Sequence, residues 1–252
     1  MVLLYTRIAC YAVENYTTKE KTMKTIGLIG GLSWESTADY YHIINTLVKE
    51  ELGGLNSAKC LLYSFNMEEI AILQREGKWD LAAQKLADAA KTLEAGGADV
   101  ILICTNTMHK VANEVKEAVS VPLIHIAEST ARSITAKGLK KVGLLGTKFT
   151  MEQGFYSNIL EVFGIETIIP EACDREDVHS IIFDELCQGQ FLPESKERYL
   201  DIIRKLIAEG AEGIILGCTE IPLLIKDEDI NIPLFNTTYL HSKEAVDFSF
   251  GK

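Results

Sequence analysis

The segment "LADAAKTLEAGGADVILICTNTMH" (86–109) decides the fold, because a second segment repeats its order. "ERYLDIIRKLIAEGAEGIILGCTEIP" (197–222) also runs from an amphipathic stretch through a glycine stop and an apolar stretch to a polar triplet. Apolar residues at helical spacing, followed by a short continuous apolar run, predict a helix and then a buried strand. Two such units predict two similar α/β halves.

The alternation of strands and helices continues outside the repeat. "TIGLIG" (25–30) and "KKVGLLG" (140–146) read as short strands, each followed by a helical segment. This order predicts parallel sheets that are covered by helices. The expected fold class is α/β, with two pseudo-symmetric parallel-sheet domains and the active site in the cleft between them.

The domain boundaries follow from the same order. We expect one domain to contain residues 23–121 together with 233–252, and the other to contain 122–232. Residues 1–22 fit poorly with the first strand, and Arg7 interrupts their only apolar patch, so they hold no signal-peptide core. We expect them to be a poorly ordered N-terminal extension, or the product of an upstream start codon.

Composition and charge limit the classes of function. Hydrophobic residues make up 47% of the 252 residues and charged residues 24%, a balance typical of a soluble globular protein. No apolar run approaches the ~20 residues of a membrane helix. The formal net charge of −11 argues against nucleic acid or an anionic membrane as a partner. A cytoplasmic protein with a small-molecule partner is expected.

Six cysteines are scattered along the chain, at positions 10, 60, 104, 173, 187 and 218. They form no CxxC pair and no paired Cys/His spacing. This pattern argues against a disulfide framework or a structural zinc site. Reduced thiols and no bound metal are therefore expected.

The repeat has a register that aligns its two polar triplets. When Gly97 is matched to Gly210, Thr105 falls on Cys218 and Cys104 falls on a glycine. Ligands of parallel sheets bind beyond the carboxyl ends of strands, where the next helix offers free N–H groups. The triplets are therefore expected to share one cleft. The alternative is an old duplication whose triplets only cap helices.

Two proton-transfer groups on opposite sides of one carbon suit stereoinversion. Cys218 is expected to be the principal base, because a helix N-terminus can lower the pKa of a thiol. A hydroxyl is harder to ionise, so Thr105 would act as a proton donor or relay. Asn106, Thr107 and Thr219 could hold a carboxylate and stabilise the negative charge that develops on it.

The first glycine turn, "GLIGGLSWEST" (27–37), lacks the spacing of both common phosphate-binding motifs. Its glycines favour a close approach of the backbone to a small ligand. Leu32 and Ser33 are expected to line the pocket there. Thr150 lies in the corresponding turn of the second half and is expected to bind substrate.

Three further residues have two interpretations each. Glu220 could orient a neighbouring group or hold a substrate ammonium, but it could also be a solvated glutamate of a first helical turn. His109 and His125 could be bases. The sequence shows no catalytic partner at a recognisable spacing from either histidine, so a structural role is favoured.

Four segments together resemble the aspartate/glutamate racemase family, and most of all its L-aspartate/glutamate-specific branch. They are "KTIGLIGGLSWESTADYY", "CTNTMH", "GLLGTKFTMEQGFY" and "GCTEIP", and the resemblance runs from about Met23 to Val246. It implies a racemase of acidic amino acids that needs no cofactor. A homodimer is an expectation that rests on this resemblance alone.

The first motif departs from the pattern of most family members, which carry Cys-Asn-Thr there and Cys-Thr in the second half. Here Thr105 precedes Asn106 and Thr107, and the cysteine lies one place earlier. The L-specific branch shares this departure. The resemblance therefore implies Thr105 and Cys218 as the facing pair, in agreement with the repeat register.

A second departure concerns the side-chain carboxylate of the substrate. Aspartate racemases similar to this chain bind it with basic residues. The matching positions here are Cys187, in "DELCQGQ", and Gln74, in "EEIAILQR", with Arg75 as the alternative to Gln74. A neutral and roomier pocket would admit glutamate as well as aspartate.

Two other functions remain open on the residues alone. A decarboxylase or cis–trans isomerase of the same fold, without a cofactor, uses one cysteine as proton donor or nucleophile. A non-catalytic module that binds an amino acid would have the same cleft with a degenerate site.

Overall fold

The computed structural model describes residues 23–252, so the expected N-terminal extension lies outside the described part. Its strands are β1 (Ile26–Gly30), β2 (Cys60–Ser64), β3 (Val100–Ile103), β4 (Lys141–Gly146), β5 (Glu166–Ile168), β6 (Ile214–Gly217) and β7 (Leu234–Asn236). They form one sheet of order β2-β1-β3 and another of order β5-β4-β6-β7, and all their pairings are parallel. The predicted parallel α/β class is confirmed.

Helices connect the strands and cover the sheets. They are α1 (Trp34–Leu52), α2 (Met67–Arg75), α3 (Trp79–Ala95), α4 (Ala112–Glu117), α5 (Ile126–Ala136), α6 (Lys148–Glu152), α7 (Ser157–Val162), α8 (Ala172–Asp184), α9 (Pro193–Ala208), α10 (Ile221–Leu224) and α11 (Thr237–Ser249). Short 3-10 turns span Thr107–Val111, Leu186–Gln188 and Asp227–Asp229. No helix within residues 23–252 is long and apolar enough to cross a membrane.

The pairing of the central strands reproduces the register of the repeat. Ile29 of β1 lies opposite Ile103 of β3, and Leu145 of β4 lies opposite Leu216 of β6. Ile29 and Leu145 also hold the same place in the matching "GLIG" and "GLLG" strands. The polar triplets after β3 and β6 are therefore equivalent in space, as the sequence predicts.

Two helices cross between the halves. The segment before α5 runs beside the first sheet through the bridge between Ile101 and Leu123, but α5 packs into the core of the second half. In the opposite sense, α11 follows β7 of the second sheet and packs against Ile26 and Tyr40 in the core of the first half. These crossings join the two halves beneath the cleft.

The expected division into domains remains a prediction, but its second boundary needs one correction. The segment 233–252 was expected in the first domain, whereas β7 pairs with β6 in the second sheet. Only α11, which follows β7, packs in the core of the first half. A short apolar strand carries no signal in its own sequence that tells which sheet it will join.

Cys104 belongs to the core of the first half. It is fully buried, and it packs in one cluster with Leu28, Tyr40 and Leu102. Burial raises the pKa of its thiol, so the sulfur behaves as a small apolar group. Neighbouring side chains of an extended segment point in opposite directions, which turns Thr105 toward the cleft.

We expect Cys104→Ala to lower the free energy of unfolding by about 1 kcal/mol, because it leaves a small cavity in the core. The activity per folded molecule should change less than about twofold, because the side chain lies in the core. Urea unfolding, with activity assayed in parallel, checks this. A stable Cys104→Ala protein without activity would contradict the assignment of Cys104 to the core.

Candidate active site

A small cavity lies between the two halves, at the carboxyl ends of the central strands. Nine of the ten predicted site residues line it: Leu32, Ser33, Gln74, Thr105, Asn106, Thr107, Cys187, Cys218 and Thr219. Three further polar residues also line the cavity, and the sequence alone did not assign them to the site: Ser36, Thr147 and Glu220. Thr150 stands one layer further back and is buried. Both polar triplets thus reach one cleft.

The Cys218 thiol points at a buried carboxylate. Its Sγ donates a hydrogen bond to Oε2 of Glu220 over 3.0 Å, and the Thr219 hydroxyl donates to the same oxygen over 2.7 Å. The other carboxylate oxygen accepts from Ser33 and Ser36 over 3.0 and 2.9 Å. Glu220 is only 4% exposed, so its interpretation as a solvated glutamate is wrong.

The N-terminus of α1 stabilises the charge of Glu220. Ser33 is the N-cap of α1, and its Oγ accepts from the backbone N–H of Ser36. A helix N-terminus carries a partial positive charge, and this helix is 19 residues long. Within residues 23–252 no lysine or arginine forms an ion pair with Glu220. Hydroxyl donors and the helix dipole therefore balance this charge.

The surroundings of the Cys218 thiol favour its protonated form. Its pKa is raised well above the usual value, first by burial and then by the nearby carboxylate of Glu220 and by Cys187. The sequence analysis expected a helix N-terminus to lower this pKa, and that expectation is wrong. The following helix, α10, has only four residues, and desolvation and a like charge outweigh its dipole.

Asn106 presents an oxygen that has no hydrogen-bond partner. Its Nδ2 donates to Oγ1 of Thr237 over 3.1 Å, and Thr237 in turn donates to the carbonyl of Leu216. Because the proton of Thr237 is used in this way, its Oγ1 can only accept from Asn106, which fixes the orientation of the amide. Oδ1 of Asn106 is left buried and unpaired. Asn106 therefore offers an unpaired acceptor to a ligand.

A chain of hydroxyls crosses from one half to the other. Thr107 and Thr147 lie 3.1 Å apart, and Thr147 and Thr150 lie 3.2 Å apart. Thr147 caps α6 by accepting from the backbone N–H of Thr150. Thr150 therefore orients Thr147 and does not itself reach the cavity.

The two uncharged residues that are expected to bind the side-chain carboxylate of the substrate both line the cavity. Gln74 lines the cavity, with its Nε2 near Sδ of Met108 at 2.9 Å. Cys187 also lines it, and burial raises the pKa of this thiol to about 12. Arg75, the alternative to Gln74, is exposed and pairs with Glu68 at the surface. No lysine, arginine or histidine is among the residues that line this cavity.

The cleft is narrow. The cavity volume is about 40 Å³, and by this measure one water needs roughly 10–15 Å³. Space for a few water molecules is too small for an amino acid with two carboxylates, so we expect the halves to move apart when substrate enters. Closure would then remove water from the reacting groups.

The unpredicted polar residues had a readable signal in two cases. Ser36 lies three positions after Ser33 on α1, so both hydroxyls share one face of the helix start. Glu220 follows the Cys-Thr pair directly, but its burial could not be read from the sequence. Thr147 begins the turn that matches the first glycine turn, and this position indicates the same cleft.

Comparisons with known proteins agree with this geometry. The family profile described as Asp/Glu/Hydantoin racemase matches residues 29–245. A crystal structure of a Yersinia pestis protein proposed to be an Asp/Glu racemase is 52% identical and superposes with a TM-score of 0.85, covering 90% of this chain and 99% of that chain. An aspartate racemase homologue from Pyrococcus horikoshii is 36% identical with a TM-score of 0.79, at the same coverage of both chains.

A curated relative points in the same direction. The broad specificity amino-acid racemase RacX of Bacillus subtilis is 25% identical over 224 residues, which are 88% of this chain and 96% of that protein. A mutant arylmalonate decarboxylase is 15% identical, with a TM-score of 0.55. The likeness to the decarboxylase extends to the fold alone.

Proposed function

The chain belongs to the Asp/Glu/hydantoin racemase family, and from this premise we propose that it interconverts the L- and D-forms of aspartate and glutamate. It is a racemase that works without pyridoxal phosphate. The observation that carries the proposal is the Cys218 thiol, hydrogen-bonded to Glu220 in a cavity that Thr105 lines from the other half.

Glu220 explains how a buried thiol can act as a base. Its Oε2 accepts the S–H hydrogen bond, so a proton can pass from Cys218 to Glu220 without crossing solvent. The thiolate then removes the α-hydrogen and becomes a thiol again. Thr105, on the opposite side, delivers a proton to the other face through its hydroxyl or a water. Glu220 afterwards releases its proton to solvent, from which Thr105 recovers one.

The free acceptor of Asn106 suits the α-ammonium of the substrate. The sequence analysis gave Asn106 a role toward the α-carboxylate, but one of its two amide N–H groups bonds to Thr237. Binding an N–H of the substrate would satisfy Oδ1, which is otherwise buried without a partner. The hydroxyls of Thr107 and Thr147 remain as donors for the carboxylate, whereas the Thr219 hydroxyl already donates to Glu220.

The direct test is incubation of the protein with L-aspartate and L-glutamate separately, with no cofactor added. Chiral chromatography should show the D-enantiomer accumulating until the two forms are equal. Stable binding of either amino acid without product would favour a non-catalytic binding module. Carbon dioxide release from a malonate, or isomerisation of maleate, without racemisation would favour the decarboxylase or isomerase alternative.

The unlike pair of proton-transfer groups predicts unequal exchange of the α-hydrogen. In D₂O at saturating substrate, we expect faster deuterium uptake from the enantiomer whose α-hydrogen faces Cys218, because a hydroxyl is a much poorer base than a thiolate. The two kcat/KM values must still agree, since enantiomers have equal free energy. Equal uptake rates from pure L- and pure D-substrate would contradict the unequal roles.

We expect Gln74→Ala to raise KM about tenfold for both substrates with little change in kcat, because it removes one hydrogen bond to the distal carboxylate. Arg75→Ala is the matched control, since its guanidinium pairs with Glu68 at the surface. Initial rates over a range of substrate concentrations check this. An unchanged KM in Gln74→Ala would remove Gln74 from the substrate pocket.

A further inference from the structure

His109 is buried beside the turn that carries Thr105. It is 2% exposed and is not among the residues that line the catalytic cavity. Its Nδ1 lies 2.8 Å from the carbonyl oxygen of Thr105. Its Nε2 accepts a hydrogen bond from the backbone N–H of Ile126 over 3.2 Å. Both ring nitrogens are therefore used, and His109 is not free to act as a base.

These two bonds determine the tautomer of His109. A backbone N–H can only donate, so Nε2 must be unprotonated and Nδ1 must carry the proton. The imidazole thus donates to the Thr105 carbonyl. Burial lowers its pKa, with further contributions from His125 and His241, whose rings lie 4.6 and 5.4 Å away. His109 remains neutral, and this single arrangement is maintained.

The sheet does not hold the carbonyl of Thr105: the backbone N–H of Thr105 donates to Ile103, and its carbonyl accepts from His109. Strand β3 ends at Ile103, and Thr105 lies beyond the ladder that joins β3 to β1. Ile126 is the first residue of α5, which packs in the core of the second half. His109 therefore fixes the turn of one half against a helix that is anchored in the other.

We propose that His109 is a positioning residue, which aims the Thr105 hydroxyl at the substrate by holding its carbonyl against the start of α5. This inference rests on the proposed racemisation. It assigns His109 no contact with substrate. It predicts that loss of the bond to Thr105 impairs the proton transfer on the Thr105 side and leaves the transfer on the Cys218 side intact.

Two substitutions separate the two bonds of the imidazole. In His109→Asn the side-chain amide nitrogen stands near the place of Nδ1, so it can donate to Thr105 but cannot reach Ile126. In His109→Gln the amide oxygen stands near the place of Nε2, so it can accept from Ile126 but no donor faces Thr105. The pair has similar size and polarity, and each variant is the control for the other.

The readout is the ratio of α-hydrogen exchange to racemisation in D₂O. Cys218 can remove the α-hydrogen, exchange its own proton and return a deuteron to the same face, which needs no Thr105. Inversion needs Thr105. Misplacement of a catalytic group by about 1 Å can lower a reaction rate about a hundredfold. We therefore expect His109→Gln to raise the ratio of exchange to racemisation at least about tenfold. His109→Asn should stay within about threefold of the unaltered protein.

If the rates of exchange and racemisation fall by the same factor in His109→Gln, His109 has a purely structural role and the inference is overturned. An unchanged ratio with unchanged rates would overturn it as well. Absence of racemisation by the unaltered protein would overturn the proposed function, and this inference with it. Should His109→Gln fail to fold, Ile126→Pro removes the N–H that anchors Nε2 of His109 to the start of α5. Proline is tolerated at the first position of a helix, and the extended backbone of His125 suits the residue before it.

Ile126→Val is the control for Ile126→Pro, since it keeps the N–H and shortens the same buried side chain. We expect Ile126→Pro to raise the ratio of exchange to racemisation about threefold or more, while Ile126→Val leaves it unchanged. Equal ratios in the proline and valine variants would overturn the role assigned to His109.

Discussion

Cys218→Ser is expected to lower kcat for racemisation by about a thousandfold or more, on the scale that general acid–base catalysis contributes. The serine hydroxyl has nearly the size of the thiol and can donate the same hydrogen bond to Glu220, so the fold should be retained. It does not ionise under conditions in which the thiol can transfer its proton to Glu220. The effect should therefore appear in kcat, with KM for aspartate nearly unchanged.

The measurement is the initial rate of D-aspartate formation, together with the melting temperature of each variant. Cys187→Ser is the matched control, because its thiol lines the same cavity but has no hydrogen bond to Glu220 among the contacts of residues 23–252. We expect it to alter KM more than kcat. A Cys218→Ser protein with full activity would refute the mechanism.

Glu220→Gln is expected to have the second largest effect, a loss of about a hundredfold in kcat. A glutamine amide cannot take the proton of the Cys218 thiol, so the base no longer forms by internal transfer. At the same time the negative charge that raises the pKa of this thiol disappears. The pKa of Cys218 should therefore fall while the rate of racemisation also falls.

These opposite changes distinguish two roles of Glu220. The pKa of Cys218 can be followed by the rate of alkylation with iodoacetamide as a function of pH, and racemisation is assayed on the same protein. If Glu220 only disfavoured the thiolate of Cys218, Glu220→Gln would racemise faster than the unaltered protein. That result would show that Glu220 does not accept the proton of Cys218. Glu35→Gln is the control, since Glu35 contacts Ser33 but not the thiol.

The sequence by itself determined the fold class and the register of the site. Helical and strand periodicities are local properties, and the duplicated pattern places Thr105 and Cys218 at equivalent strand ends. The pairing of Ile103 with Ile29, and of Leu216 with Leu145, confirms that register. The roles proposed for the pair remain predictions.

The sequence did not reveal what surrounds the thiol. It predicted a lowered pKa for Cys218 from the neighbouring helix start, whereas the structure gives a raised one. The pKa depends on burial and on distances to charges that folding sets, and neither follows from the order of residues. The helix start was the only one of these influences visible in the sequence, and burial and the charge of Glu220 act in the opposite direction.

The partners of Glu220, Asn106 and His109 also belong to the tertiary structure. Ser33 lies 187 positions from Glu220 along the chain, and Thr237 lies 131 positions from Asn106. No periodicity connects residues so far apart, because their contact results from the packing of two halves and two crossing helices. The sequence therefore determined which residues reach the strand ends, and only the tertiary structure decided which side chains contact one another there.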